Sequence, residues 1–584
     1  MQKRLVLKKK SDKEIVKQLT DCLKIDDVLA NLLVQRGITN LEEAKCFFRH
    51  ELSQLHDPFL MKDMDKAINR IEEAIKNKEK ILVYGDYDVD GTTAVALVYS
   101  FLYKIYKNVN YYIPDRYKEG YGISFASIDY AVENNYSLII ALDCGIKANE
   151  QIDYANNKHI DFIICDHHRP AETIPKAHAI LDPKRNDCNY PFKELSGCGI
   201  GYKLIQAFGI SNNMLNDEIE SYLDLVVVSI ASDIVPINGE NRVLAHYGLK
   251  KLNSNARPGI EAILIYSNII KRLETDANYN PEYVFNRSIT INDLVFLVGP
   301  RLNAAGRIDN GKNSVELLIS NDIAEAKSKG YNINICNTER KNLDLQTTTQ
   351  AIEMIKNNIA LQKKKSTVLF YPDWHKGVIG IVASRLIELY YKPTIILTQS
   401  DGLITGSARS VKDFDLYDAI DSCSDLLEHF GGHKYAAGLS LKPENLEKFI
   451  NKFEKIASDR ITYEMQSPVI EVDAELDLNN INPKFIKILK QFAPFGPENL
   501  SPVFLSKNVV DKGFARIVGI DHLKLKIAND KYSNTSFDAI AFHLGEFLPQ
   551  ILEGTPFTIC YHVEENEWAG NTTVQLNIKD IKFD

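Results

Sequence analysis

The sequence has no Cys-x-x-Cys pair, and its nine cysteines are an odd number scattered along 584 residues. That argues against zinc modules and against a disulfide framework, and suits a reducing cytoplasm. No apolar run is long enough to span a bilayer, and the start, Met1-Gln2-Lys3-Arg4-Leu5, lacks the apolar core of a signal peptide. No membrane association is therefore expected. Internal repeats and low-complexity segments are missing too. Nor is positive charge in excess, since 69 Lys and Arg against 78 Asp and Glu give a net charge of -9. Such a balance does not advertise a nucleic-acid binder, although affinity follows a local basic track rather than the chain total. The run Lys8-Lys9-Lys10 reads first as a solvated face.

What is present is an ordinary globular composition, 45% hydrophobic and 25% charged, in a chain long enough for several domains. Residues 1–80 read as a helical lead-in. Over 81–310, short apolar runs alternate with amphipathic stretches, with strands expected at 109–113, 137–142 and 161–164 and helices at 92–106 and 147–156. This pattern predicts a parallel sheet covered by helices. Residues 311–360 read as a connecting helical region, with one long helix from Tyr331. A smaller α/β unit follows over 361–460, with strands at 368–371 and 394–397 around a helix at 378–391. The strand-rich segment 465–584 predicts a small β-barrel such as an OB-fold.

The stretch Tyr84-Gly85-Asp86-Tyr87-Asp88-Val89-Asp90-Gly91 stands where a strand ends and a helix begins. Alternate strand residues share a face, so its three aspartates can converge, and converging carboxylates repel unless a cation holds them. Asp143, the triplet Asp166-His167-His168, and Asp233 also close apolar runs; all of these, including 226–232, read as strands ending at one edge of the sheet. Oxygen and imidazole ligands without thiolate favour manganese or magnesium over zinc. Five or more such groups can hold two ions roughly 4 Å apart, which suits in-line attack of water on a phosphate ester. Any one of these aspartates alone is as readily a helix N-cap or a turn residue. Taken together with a tandem histidine, a metal site is the stronger reading. Cys144 and Cys165, beside them, read as packing.

In this order, Tyr-Gly-Asp-Tyr-Asp-Val-Asp-Gly, Leu-Asp-Cys-Gly-Ile, Asp-His-His and Ala-Ser-Asp-Ile-Val-Pro resemble the motifs of the DHH phosphoesterase superfamily. Within it the chain resembles the bacterial single-strand-specific exonuclease branch over nearly its whole length. The small pyrophosphatases of the superfamily carry a ligand histidine where this chain has Tyr84, and Asp86 takes its place here, which favours the exonuclease branch. The resemblance implies a parallel-sheet DHH domain over 81–310, a DHH-associated domain over 361–460 and an OB-fold barrel. It implies metal ligation by Asp86, Asp88, Asp143, His167 and Asp233, with Asp90 and Asp166 in or next to the ligand sphere. His168 is expected at the scissile phosphate or the leaving group. How Asp86, Asp88 and Asp90 divide between two ions is open at this level.

Three further motifs suit a phosphate. Trp374-His375-Lys376-Gly377 and the residues after it place glycines just before a helix, where backbone N–H groups can hold an anion. Gly406-Ser407-Ala408-Arg409-Ser410 offers a guanidinium and hydroxyls. Gly431-Gly432-His433 offers small residues and an imidazole. All three resemble the DHH-associated domain, where the resemblance implies binding of a terminal 5′-phosphate by Ser407 and Arg409, with His375, Gly431, Gly432 and His433 around it. Arg116, and Arg301 or Arg307, are expected as further members. For the arginines the plain alternative is an ion pair, and for the glycines turn geometry.

Among the C-terminal aromatics, Phe514, Phe537, Phe542, Phe547, Tyr561 and Trp568 serve equally as barrel core or base-stacking platforms. The junction Ala493-Pro494-Phe495-Gly496-Pro497-Glu498 departs from the family pattern by carrying Glu498 where a second glycine is usual. The chain ends shortly after the barrel, so no further C-terminal domain is expected.

The function implied is a 5′→3′ exonuclease on single-stranded DNA. It releases 5′-mononucleotides by hydrolysis at two Mn2+ or Mg2+ ions, in DNA repair and recombination. A helicase and a single-strand-binding protein are candidate partners that the sequence does not decide. Three rivals are weaker. A DHH phosphoesterase for short RNA or cyclic dinucleotides is typically shorter and lacks the barrel. A non-catalytic scaffold would not keep every ligand. A strand-binding module alone would not need the strand-end carboxylates.

Overall fold

Five short runs, Lys80–Gly85 (β1), Val109–Tyr112 (β2), Tyr136–Leu142 (β3), Asp161–Cys165 (β4) and Ala179–Leu181 (β5), form an all-parallel sheet of order β2-β1-β3-β4-β5. These coordinates are a computed structural model that describes residues 3–583 apart from 273, 277–279, 281, 282, 401, 569 and 570. The side chains of 567, 568 and 571 are also left undescribed, so the role expected of Trp568 lies outside the described residues. The chain divides into two units, residues 7–334 with 471–584 and residues 335–470 with 1–6.

Both faces of the sheet are buried, so its strands are nearly continuous apolar runs. Ile81, Val83, Leu138, Ile140 and Ile163 enter one core, while Leu82, Tyr84, Ile139, Ala141, Phe162 and Ile164 enter another on the opposite face. On the first face lie Val89–Ile105 (α1), Gly197–Ser211 (α2) and Leu223–Ser232 (α3). Strand order reverses direction between β1 and β3, and a crevice opens beyond the carboxyl ends of the strands at such a point.

The segment expected as a strand before Asp233 is instead the helix α3. Its run of valine and isoleucine looks extended, but every side is apolar, and periodicity cannot separate a fully buried helix from a buried strand. Helix α3 packs between α1 and the helix Gly239–Asn255, and β5 occupies the sheet position it would have needed. Asp233 thus arrives at a helix C-terminus rather than a strand end.

The helices Lys13–Leu23, Asp27–Gln35 and Leu41–Phe48 share a core with the C-terminal barrel, whereas Met64–Lys76 packs on the parallel sheet. Lys8, Lys9 and Lys10 are exposed, with Lys8 Nζ 2.9 Å from Asp473. Helix Gly299–Ile308 (α4) follows, and Ile323–Lys356 (α5) carries the chain from the first unit to the second. Its 34 residues begin eight positions before the expected start at Tyr331.

The second unit holds a five-stranded sheet around Thr367–Phe370 (β6), the helix Ile379–Tyr390 (α6), Thr394–Ser400 (β7), Leu403–Arg409 (β8), His429–His433 (β9) and Ala436–Leu441 (β10), ordered β9-β10-β8-β7-β6. Only β6 and β7 run parallel. Three of these strands were not foreseen, because their alternating small residues read as loop-forming glycine motifs.

In the barrel, Phe504–Asp511 (β11) pairs with Phe557–Trp568 (β14), which pairs with Asn571–Lys582 (β15). Strand β15 runs parallel to Phe537–Ala541 (β13); β13 pairs with His522–Ala528 (β12), and β12 returns to β11. The ring is closed by five strands, which removes its free edges. Tyr561 is core, its hydroxyl on Ser506, whereas Phe514 and Phe542 are exposed. At the junction before the barrel Glu498 has φ 60°, the left-handed region that favours glycine. Asn238 Nδ2 donates to its carboxylate, a contact glycine could not make. No helix among the described residues is long and apolar enough to cross a membrane.

Candidate metal centre

Asp86 follows β1, Asp143 follows β3 and Asp166-His167-His168 follows β4, so neighbouring strands deliver all five side chains to the switch point. His167 Nε2 lies 3.1 Å from Asp143 Oδ1, 3.5 Å from Asp233 Oδ2 and 3.6 Å from Asp90 Oδ2. Four buried atoms here have no hydrogen-bond partner: Asp86 Oδ1, Asp143 Oδ1 and both ring nitrogens of His167. Buried acceptors without donors are costly, and a cation shared among them removes the cost.

The electrostatics agree. Burial, with Asp88 beside it, pushes the Asp86 carboxyl far above the ordinary carboxylate range. Asp143 is driven up in the same way by burial and by Asp90, Asp88 and Asp233. Burial and the charges of Asp90 and Asp88 push Asp233 up to about 8. Asp88 also rises, through burial and then Asp90.

Asp90 and Asp166 are bound differently. Asp90 accepts from the N–H groups of Gly197 (2.7 Å) and Cys198 (2.8 Å) at the start of α2, and from Ser229 Oγ (2.7 Å). Asp166 accepts through one oxygen from the N–H of His167 and of His168 and from His168 Nδ1, and through the other from Ile146 N–H. Burial alone would raise its carboxyl, but these donors and the His168 charge bring it down to about 2. Both residues have both oxygens engaged and so orient the centre. Asp88 does two jobs: one oxygen caps α1 at Gly91 N–H, as the N-cap alternative anticipates, while it stays part of the carboxylate cluster.

Two glycines make room for the ligands. A Cβ on Gly197 would stand 2.7 Å from Asp143 Cβ, and one on Gly91 would meet the Asp86 backbone at 2.4 Å. Asp143 itself has φ 58°, a left-handed conformation paid for by the surrounding packing.

Sequence reasoning missed two residues. Asp182, directly after β5, is fully buried with Oδ2 unpartnered, and burial pushes its carboxyl up to about 7. It follows an apolar run like the other strand-end aspartates, but the run is only three residues long. Tyr121 Oη lies 3.2 Å from His168 Nε2, so His168 is held at both nitrogens, by Asp166 and Tyr121. Cys144 and Cys165 are buried packing residues.

Of the arginines expected near phosphate, Arg116 stacks 5.0 Å from the Tyr87 ring centroid, and Arg307 also acts on the Tyr87 hydroxyl, so both border the Asp86–Asp88 loop. Arg301 is the exception. It is buried, and it donates to Leu297 O (2.8 Å), Tyr266 O (3.0 Å) and Asn334 Oδ1 (3.3 Å), which commits its guanidinium to the fold.

In the second unit, Ser407 and Arg409 point to one side of β8, with Arg409 Nη1 3.1 Å from Ser407 Oγ. A Cβ on Gly380 in the first turn of α6 would lie 2.9 Å from Ser407 Oγ and 3.1 Å from Arg409 Nη2, so the three residues form one small recess. Burial lowers the Arg409 guanidinium, which donates to Ser407 Oγ and the Ala408 carbonyl, neither of them an acid. His375 Nδ1 accepts from Gly377 N–H. Gly431, Gly432 and His433 lie on the exposed strand β9, whose hairpin with β10 is anchored on β8 with Gly438 opposite Ser407.

A parallel sheet whose switch point gathers aspartates and a tandem histidine defines a DHH-type phosphoesterase fold. Residues 80–230 match the DHH family, N-terminal domain, residues 363–459 the DHHA1 domain and residues 472–580 the RecJ OB domain. The chain is 36% identical over 572 residues to the single-stranded-DNA-specific exonuclease RecJ of Bacillus subtilis, covering 97% of this chain and 70% of that protein. It is 32% identical over 574 residues to the protein of the same name from Haemophilus influenzae, covering 95% and 96%. The fold matches a Thermus thermophilus RecJ structure in complex with Mn2+ at TM-score 0.82 and 23% identity, over 100% of this chain and 80% of that one. An exonuclease RecJ structure bound to manganese matches at TM-score 0.58 and 27% identity, over 70% and 97%. The chain belongs to the RecJ family.

Proposed function

We propose that the protein is a 5′→3′ exonuclease that hydrolyses single-stranded DNA to 5′-mononucleotides with divalent ions, Mn2+ or Mg2+. The observation that carries this reading is the pool of buried, unpartnered ligand atoms on Asp86, Asp143 and His167 at the switch point. Membership of a family whose relatives bear the name single-stranded-DNA-specific exonuclease gives that pool its substrate.

Asp86, Asp88, Asp143, His167 and Asp233 would hold the ions. Bound there, they would lower the pKa of a water and neutralise charge on the phosphate undergoing in-line attack. The chain's own groups set the geometry. Asp90 fixes the start of α2 against the ligand loop, and Asp166 locks both histidines through three hydrogen bonds and ties them to the Ile146 loop through a fourth. His168, held by Asp166 and Tyr121, would contact a phosphate oxygen or the leaving group. Arg116 and Arg307 add positive charge beside the Asp86–Asp88 loop. The Gly380, Ser407 and Arg409 recess suits a terminal phosphate, since a half-buried guanidinium with no acid partner among the described residues favours an anion. The exposed Phe514, with Lys526 Nζ 5.2 Å from its ring centroid, gives the barrel a stacking and phosphate-binding element. A cytoplasmic place in DNA repair and recombination, beside a helicase and a strand-binding protein, completes the reading.

Digestion of a long 5′-labelled single strand beside a dinucleotide tests it. Faster release of mononucleotides from the long strand supports the exonuclease. Turnover of the dinucleotide alone would assign the chain to the short-oligonucleotide phosphodiesterases.

A further inference from the structure

A second group of metal-ligating side chains lies on the barrel. Asp521 and His522 bound the turn entering β12, and His543 follows β13. One oxygen of Asp521, Oδ1, lies 3.2 Å from His522 Nδ1 and 2.9 Å from His543 Nδ1. The three ligand atoms fall within 4.8 Å of one another. Asp521 Oδ1 is shielded from solvent and accepts no hydrogen bond, whereas Oδ2 accepts from His543 Nδ1 at 3.0 Å, a proton that metal binding would release.

Bonds of about 2.0–2.1 Å from imidazole and carboxylate to a zinc-sized ion place adjacent ligand atoms about 2.9 to 3.3 Å apart. The two measured separations fall in that range. His522 Nδ1 receives the backbone N–H of His543 at 3.2 Å, which marks it as the unprotonated nitrogen, the form that binds metal. Its single lone pair is engaged by the His543 N–H, so an ion bound at His522 Nδ1 would displace this hydrogen bond and gain the carboxylate oxygen that has no donor.

The backbone holds this arrangement in place. Gly545 N–H donates to Asp521 O at 2.9 Å, and a Cβ at Gly545 would stand 2.9 Å from the same oxygen, so glycine lets the loop seat on the turn. His543 has φ 57°, a left-handed conformation that an imidazole residue adopts at a cost. The ligands therefore come preset from two segments 22 residues apart.

We infer that Asp521, His522 and His543 form a second metal site, on the barrel, for a borderline divalent transition ion such as Zn2+, Co2+ or Ni2+. Two imidazoles and one carboxylate suit those ions better than Mg2+. With three protein ligands, water completes the coordination, and the ion clips the turn before β12 to the loop after β13. The site is separate from the catalytic centre and independent of the reaction proposed for it.

The test is calorimetric titration of metal-free full-length protein with Zn2+, beside the double variant His522→Ala/His543→Ala. Wild type is expected to take up one more ion than the variant and to gain thermal stability that the variant does not, while both retain Mn2+-dependent cleavage of single strands. Asp521→Asn, which keeps shape and removes the charge, should weaken the additional uptake at least tenfold and guards against a folding defect in the double variant. Equal Zn2+ stoichiometry and equal stabilisation in all three proteins would overturn the site and leave a histidine–aspartate ion pair in its place.

Discussion

His167 Nε2 stands 3.1 Å from Asp143 Oδ1, yet both atoms are buried and neither has a hydrogen-bond partner. Two such atoms in contact fit a cation shared between them. His167→Ala should lower single-strand cleavage by at least about 100-fold, as expected when a metal ligand is lost. Strand binding, read by fluorescence anisotropy, should change little.

Gly197→Ala tests the packing behind the centre. The added methyl would press on Asp143 Cβ from 2.7 Å, and Asp143 already occupies a strained left-handed position. Metal affinity measured by titration should fall roughly 10–100-fold, the range for perturbed ligand support. The circular-dichroism spectrum should be unchanged.

The metal-free protein should lose stability as pH rises. Asp86, Asp88, Asp143 and Asp233 all have carboxyls raised by burial and mutual repulsion, Asp233 to about 8. A group raised in the folded state holds its proton more tightly there than in the unfolded chain, where the value is about 3.9. Its stabilisation is therefore full at low pH and disappears between about 4 and 8 as pH climbs. The melting temperature in a chelator should drop from pH 6 to pH 8, and Mn2+ should restore it. A rising melting temperature in the chelator would remove the repulsive cluster from the account.

Arg409 and Arg301 separate binding from architecture. Arg409→Ala should weaken the preference for 5′-phosphorylated ends by roughly 10–100-fold, the worth of one or two charge-assisted hydrogen bonds. Arg301→Ala should leave that preference alone and destabilise the protein by about 1–3 kcal/mol, because three partly buried acceptors lose their donor. Competition assays with and without the terminal phosphate, and denaturant melts, read the two effects.

The centre was largely legible in the sequence because a parallel sheet brings strand ends together: Asp86, Asp143 and His167 each follow an apolar run. Asp233 was placed on the wrong kind of element, since a helix apolar on every side carries no period to reveal it. Asp182 was passed over because its strand is three residues long. The engagement of Asp90 and Asp166 by backbone N–H groups was invisible, as those donors come from α2 and from the loop at Ile146. Strand β8 hid behind a glycine motif, and only its pairing shows Ser407 and Arg409 on one face.

The most direct measurement is cleavage of end-phosphorylated single and double strands with Mn2+ or Mg2+, by wild type and His167→Ala, with products sized from the 5′ end. The account predicts 5′-mononucleotides from the single strand alone, no reaction in a chelator, and no reaction by the variant. Equal cutting of blunt duplex, release from the 3′ end, or full activity of His167→Ala would contradict it.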